Sequence, residues 1–383
     1  MRTFHMNFGV ALTLCAAALT ASRSAYAQTY TLTIVGTDVP SQTLVQPAGV
    51  NASGHVVGTI DLANNDPTTV GFTTEPFLWA PTAPNGTSGV TQVLTVGTGG
   101  RGLAANASGV VVGAATFNGT TSAFVESSGA VDDFGLVAGD IQSSAIAINA
   151  SGLVLGNSLG QPNYHGAQAS HAFVATDGGA LQLLPSFGGG MTIASDLNDA
   201  GEIVGSSATS SNLRNPAFEP FLLAGGQMVN MSGPGGFPAS SVGTRYLINA
   251  SGQVTGSFVV PGTITTVHAF LWTPSTPQGT SGTLVDLGSI TGFPNCVAAA
   301  LNDHGDVAGN CRSLGRGASS LYHAFLVHQG SIIDLNSVLP AGSPLTLRMA
   351  TGINDAGQIV GLASESTSSG TTVSVGFLLT PSS

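Results

Sequence analysis

The sequence predicts an all-β chain folded as a seven-bladed β-propeller of four-stranded blades. Three observations predict it: one turn motif recurs seven times, each copy is followed by a short apolar strand carrying one phenylalanine, and the two ends of the chain complement each other. The motif reads apolar, Asn, x, x, Gly, x, apolar, x, Gly. It stands at Asn51/Gly54/Gly58, Asn106/Gly109/Gly113, Asn149/Gly152/Gly156, Asn198/Gly201/Gly205, Asn249/Gly252/Gly256, Asn302/Gly305/Gly309 and Asn354/Gly357/Gly361. Successive asparagines lie 55, 43, 49, 51, 53 and 52 residues apart. The seven phenylalanines are Phe77, Phe124, Phe173, Phe221, Phe270, Phe325 and Phe377.

Each repeat builds one blade. Asn hydrogen-bonds its own backbone in tight turns, and a Gly three residues on accepts the positive φ of a bulged hairpin, so the motif joins two antiparallel strands, a and b. Strand c carries the phenylalanine, as in Pro76-Phe77-Leu78-Trp79, and strand d follows a short loop, as in Thr283-Leu284-Val285-Asp286-Leu287. The phenylalanines, with Trp79 and Trp272, are placed to pack between blades. The seventh repeat ends without a strand d, whereas Tyr30–Val35 is a surplus strand ahead of the first repeat. That strand is expected to complete the last blade and close the ring, leaving no open sheet edge at the seam. A parallel β-helix gives no reason for the surplus and the missing strand to match.

Residues 1–27 read as a secretory signal: Arg2 and His5 at the start, an apolar run from Phe8 to Leu19, and Ala25-Tyr26-Ala27 as a small-x-small cleavage site. The run is too short for the roughly 20 residues of a spanning helix. The expectation is a protein secreted to the periplasm or the exterior, with residues 28–383 forming one propeller domain and no membrane insertion after the signal is removed.

The whole chain carries a net charge of −11 and no lysine, and the signal takes away Arg2 and Arg23 but no acid, leaving −13. So acidic a chain does not hold a polyanion over its whole surface, which argues against nucleic acid or an anionic membrane as partner. Only 7% of residues are charged, yet 42% are hydrophobic, so the 53 glycines do not signal disorder. Cys296 and Cys311 flank one predicted hairpin. In an oxidising compartment they are expected to form a disulfide, although a one-residue bulge at the turn would make them diagonal neighbours.

Ile353-Asn354-Asp355-Ala356-Gly357-Gln358-Ile359-Val360-Gly361, the His-Ala-Phe triplets at His171, His268 and His323, and Asp286-Leu287-Gly288 together resemble the extracellular HAF-repeat family. The resemblance covers essentially the whole chain after the signal. It departs where Pro76, Ser122 and Pro220 replace the histidine, and where Asp-Leu-Gly is intact only once. It implies export and a repeat architecture, and carries no catalytic residues and no activity.

Local motifs for chemistry fail on context. Gly97-Thr98-Gly99-Gly100-Arg101-Gly102 matches a dinucleotide fingerprint in letters but lies between strands, where no helix N-terminus can receive a pyrophosphate. Asp132 and Asp133 are strand neighbours and point to opposite faces. The acidic turns at Asn198–Glu202 and Asn302–Asp306 are like calcium loops, but four repeats build the turn as Asn-Ala-Ser-Gly, so a structural turn explains all seven. The three strand-c histidines occupy equivalent positions in different blades, too far apart for one metal, and are expected to bond a loop in their own blade. No cofactor is expected.

Strand alternation puts the d–a and b–c connections on one face and the a–b and c–d turns on the other. Arg101, Arg245 and Arg348 fall in or just after d–a connections, and Arg214, Arg312 and Arg316 in b–c loops, with Tyr164 and His165 in another long b–c loop. Variable loops on a rigid scaffold are where binding resides. The reading is a non-enzymatic scaffold that binds an acidic polysaccharide or a cell-surface protein on this face, arginine being suited to carboxylate or phosphate. A secreted hydrolase or lyase acting on polysaccharide, or a purely structural matrix protein, are the alternatives.

Overall fold

The computed structural model describes residues 28–63, 71–162, 168–212, 217–238, 245–263, 265–315, 321–366 and 371–382. Its strands form seven four-stranded antiparallel sheets, each in the order a, b, c, d. Blade 1 comprises Gln42–Val50, Val56–Ala63, Phe72–Pro81 and Gly89–Val93; blade 2 comprises Gly100–Ala105, Val111–Phe117, Thr120–Ser127 and Ala130–Gly135. Blade 3 is Asp140–Ile148, Val154–Gly160, Ser170–Ala175 and Gln182–Leu183; blade 4 is Thr192–Leu197, Ile203–Ala208, Phe218–Ala224 and Gln227–Asn230. In blade 5 the strands are Leu247–Ile248, Val254–Val259, Val267–Pro274 and Gly282–Asp286, and in blade 6 Asn295–Leu301, Val307–Arg312, Tyr322–His328 and Ser331–Asp334. Blade 7 takes Leu345–Ile353, Ile359–Ser366 and Thr372–Pro381 from the end of the chain. Tyr30–Val35 is its fourth strand, with Tyr30 opposite Pro381 and Val35 opposite Gly376. The chain is a seven-bladed β-propeller closed by its first strand.

The second glycine of the motif is fixed by space. In every blade it sits opposite the phenylalanine of strand c, from Gly58 opposite Phe77 to Gly361 opposite Phe377. All seven rings are fully buried. A Cβ on Gly309 would lie 2.1 Å from the Val297 carbonyl oxygen and 3.0 Å from the Phe325 ring. Strand a presses from one side and the ring from the other, so only hydrogen fits. The first glycine of the motif, by contrast, is fixed by conformation, with φ between 74° and 84° in all seven turns.

The asparagine does more than shape its own turn. Its Oδ1 accepts the backbone N–H four residues on in every turn, and in four turns also the one two residues on, as Asn249 does from Gln253 at 2.9 Å and Ser251 at 3.1 Å. Its Nδ2 donates across the blade boundary to the carbonyl of the next asparagine. Six such links run around the axis: Asn51 to Asn106, Asn149 to Asn198, Asn198 to Asn249, Asn249 to Asn302, Asn302 to Asn354, and Asn354 back to Asn51. The acidic turn residues add to this belt, Asp199, Asp303 and Asp355 each accepting a backbone N–H from the preceding blade. Burial, and the nearby Asp355 and Asp199 charges, push the Asp303 carboxyl above its usual range.

The disulfide joins Cys296 to Cys311, which lie directly opposite each other. The bulge in this hairpin is at Ala299, and it shifts the register so that the two cysteines oppose rather than lie on a diagonal. Trp272 is buried and donates from Nε1 to the Gly235 carbonyl in the connection from blade 4, at 2.9 Å, so it packs between blades as its position predicts.

Candidate functional site

A β-bulge recurs at one level of strand a. It lies between Pro47 and Gly49, Gly102 and Ala104, Ala145 and Ala147, Ala194 and Asp196, Ala298 and Ala300, and Ala350 and Gly352. A bulge re-aims the extra residue, and the six extra residues, Ala48, Leu103, Ile146, Ser195, Ala299 and Thr351, all face one central chamber of about 980 Å3. Blade 5, whose strand a is shortened, contributes Tyr246 at the same level. Each blade thus supplies one wall residue. Just outside them, Ile193, Val297 and Met349 are 40%, 39% and 37% exposed, an apolar band at the chamber wall on the side of the d–a and b–c connections.

Two further spaces open from this chamber. A side lobe of about 750 Å3 between blades 2 and 3 shares Leu103, Ile146, Asn157 and Ile193 with it, and among the described residues Arg101 is the only charged one that lines it. Along the axis, a narrow throat of about 150 Å3 is lined mostly by small residues and by Asp196 and Arg245. Asp196 lies deep in the protein and its Oδ2 accepts the Ile248 N–H at 3.0 Å. Burial raises its pKa to about 6, against the pull of the Arg245 charge. The residues at its level in the other blades are Gly49, Ala104, Ala147, Leu247, Ala300 and Gly352, so it is the single charge in that ring.

The predicted arginines divide between two places. Arg245 lines the chamber and throat, and Arg101 the side lobe. Arg312 is the last residue of strand b in blade 6 rather than part of the b–c loop, because its pairing continues to Asn295 on one side and Tyr322 on the other. Arg348 is the fourth residue of strand a in blade 7, with its guanidinium carbon 5.9 Å from the centre of the Tyr322 ring. Arg312 and Arg348 therefore flank Tyr322, apart from the axial pair. Arg214, Arg316, Tyr164 and His165 lie outside the described residues. Among the described residues every side-chain ion pair uses histidine, so no arginine there is neutralised by direct contact.

The histidines bond within their own blades, but to strand carboxylates rather than to loops. His268 meets Asp286 at 2.8 Å, His323 meets Asp334 at 2.7 Å, and His171 meets Asp140 at 2.9 Å. In blade 2, where Ser122 replaces the histidine, its hydroxyl donates to Asp133 at 2.5 Å. In blades 5 and 6 the histidine and the aspartate thus form a clamp between strands c and d, as Ser122 and Asp133 do in blade 2, whereas in blade 3 His171 reaches back to Asp140 of strand a. Among the described residues no three His, Cys, Asp or Glu side chains are arranged to hold a metal ion.

Solved propellers share this fold. Acylaminoacyl peptidase from Pyrococcus horikoshii is similar at a TM-score of 0.54 and 10% identity over 87% of this chain and 51% of that one. The β-propeller domain of the Trilobed protease from Pyrococcus furiosus, described as having an open Velcro topology, is similar at 0.52 and 10% identity over 88% of this chain and 94% of that one. This chain spans about half the length of the peptidase it matches. At such identity the likeness is one of fold. No protein-family model matches the chain, and no curated protein matches it in sequence.

Proposed function

We propose that the protein is an exported, non-enzymatic binding scaffold that seats an extracellular or cell-surface polymer or protein on the d–a/b–c face, with the central chamber as its seat. The observation that carries this is the convergence of one bulge residue from each of six blades, with Tyr246 from the seventh, on a chamber of about 980 Å3 that also holds Arg245, which makes no direct ion pair with the described residues. Its volume falls in the roughly 300–1,000 Å3 of ligand sites. Among the described residues the charged side chains of the chamber lining are Arg245 and Glu219, and the guanidinium, with Arg101 in the adjoining lobe, favours a polymer with anionic groups. Export is supported by the signal-like residues 1–27, which lie outside the described residues, by the HAF-repeat resemblance and by the Cys296–Cys311 bridge, since disulfides persist in oxidising compartments. Among the described residues no helix is long and apolar enough to cross a membrane. The test is a glycan and cell-surface binding screen of the purified protein at two salt concentrations. Binding that weakens with salt and in Arg245→Gln is expected; no binding at either salt would overturn the reading in favour of a structural role.

A polysaccharide hydrolase or lyase is the second reading, and Asp196 is what favours it. A sunken acid with its pKa near 6 beside an arginine is poised for proton transfer near neutral pH. Glycan turnover by the purified protein, abolished in Asp196→Asn, would establish it.

A further inference from the structure

The side lobe between blades 2 and 3 has a composition of its own. Among the described residues nine Ser, Thr, Asn and Gln side chains line it and Arg101 is its one charge, in a chain whose net charge is −11. Four of its polar side chains are unspent: Arg101, Thr98, Gln142 and Ser144 make no side-chain hydrogen bond or ion pair with the described residues. Gln142 and Ser144 stand two apart on strand a of blade 3, opposite Leu159 and Asn157, and both face the lobe. Arg101 stands on the facing strand a of blade 2, two residues before the bulged Leu103. At the same wall the Ser170 hydroxyl is buried with no partner. Free donors and acceptors around a single guanidinium, with no carboxylate among the described lining residues, call for a ligand that carries many hydroxyls and one negative charge at a time.

We infer that this lobe is a subsite for a uronate residue of an acidic polysaccharide, its carboxylate on Arg101 and its ring hydroxyls on Gln142, Ser144 and Thr98. The inference rests on the binding reading above and names the polymer. A planar carboxylate matches the guanidinium fork with two parallel hydrogen bonds. A sulfate ester, with three oxygens spread around a tetrahedron, matches a single fork less well. The remaining sugars of the chain would run into the central chamber, across Leu103 and Ile146, which belong to both spaces.

The experiment is calorimetric titration of the purified protein with galacturonate and mannuronate trimers, their methyl esters, and a sulfated galactan disaccharide. At least one uronate trimer binds, and its methyl ester binds at least about tenfold more weakly, the loss expected for one charge-assisted hydrogen-bonded contact. Arg101→Gln weakens the trimer by a similar factor, and Gln142→Ala by about three- to tenfold. The subsite is overturned if neither trimer saturates by about 10 mM, if Arg101→Gln changes the Kd less than about twofold, or if the sulfated disaccharide binds as tightly as the trimers. Polymer or cell-surface binding that survives in Arg101→Gln, with no trimer binding, removes the subsite and leaves the scaffold standing. Absence of all polymer binding removes both.

Discussion

Replacing Asn249 by Asp tests whether the asparagine belt joins the blades. The side chain makes four hydrogen bonds: Oδ1 accepts from Ser251 and Gln253, and Nδ2 donates to Gln253 Oε1 at 2.8 Å and to the Asn302 carbonyl of the next blade at 2.9 Å. Aspartate keeps both acceptor bonds and so preserves the turn. It loses both donors. Gln253 can turn its amide to donate to the new carboxylate, but the Asn302 carbonyl is left facing an anion in a buried site. An unsatisfied buried acceptor costs about 1–3 kcal/mol, and the facing charge adds to it, so a loss of about 2–4 kcal/mol is expected. Asn106 is the internal control. It caps its own turn through Ser108 and Val110 but makes no link to the Asn149 carbonyl, so Asn106→Asp should cost about 1 kcal/mol or less. Urea denaturation at pH 7 reads both as shifts in midpoint at constant slope. Equal losses in the two variants would refute the inter-blade role.

Three other outcomes follow from single contacts. Gly309→Ala, whose Cβ would stand 2.1 Å from a carbonyl oxygen, should cost about 3 kcal/mol or more, whereas Gly71→Ala, with nothing within 4 Å, should stay within about 0.5 kcal/mol by the same denaturation assay. Asp196 has a folded pKa of about 6 against an ordinary aspartate value of 3.8, so the native state binds the extra proton between these values and stability falls as pH rises through that window. Asp196→Asn should flatten the pH–stability curve between those values and stabilise the protein at pH 7 by at most about 3 kcal/mol, measured as midpoint against pH. Glu202 Oε1 is buried without a partner, whereas Gln253 and Gln358 at the same turn position bond Thr273 and Thr380 on strand c. Blade 4 has Ala224 where those blades have threonine, so Ala224→Thr should raise stability by about 0.5–1.5 kcal/mol, seen as a higher thermal midpoint.

The architecture was legible because its parts repeat. The Asn-x-x-Gly turn and the one phenylalanine per period set strands a, b and c, and the unmatched Tyr30–Val35 set the seam. The second glycine was visible as a position but not as a reason, since opposing it to phenylalanine requires the register between strands b and c. The belt was hidden for the same cause: an Asn that caps a turn and an Asn that also reaches the next blade are one letter. Asp196 was missed although a signal existed. Aligning the repeats on their asparagines shows one carboxylate in a column of Gly, Ala and Leu, two residues before the turn. The arginines could be assigned to a face by strand direction, but not to Tyr322 or to the axis. Those neighbourhoods depend on the bulges in strand a, and the sequence has no symbol for a bulge.

The seam sets an order of events. Gln28 Nε2 donates to the Ser382 carbonyl across 354 residues of sequence, and among the described strands Tyr30–Val35 pairs only with Thr372–Pro381. Synthesis delivers the first of these strands at the outset and its sole partner at the end. Until then Thr31-Leu32-Thr33-Ile34-Val35, uncharged and rich in β-formers, has no neighbour, and blade 7 has no outer strand. Contacts of such separation close late, after the intervening chain has paid its loop entropy. The ring therefore cannot stabilise itself piecemeal at its joint: an arrested or truncated chain carries a sticky strand at one end and an unfinished sheet at the other. Two full-length chains caught before closure instead give Tyr30–Val35 each to the other's Thr372–Pro381, so slow closure favours dimers joined at the seam.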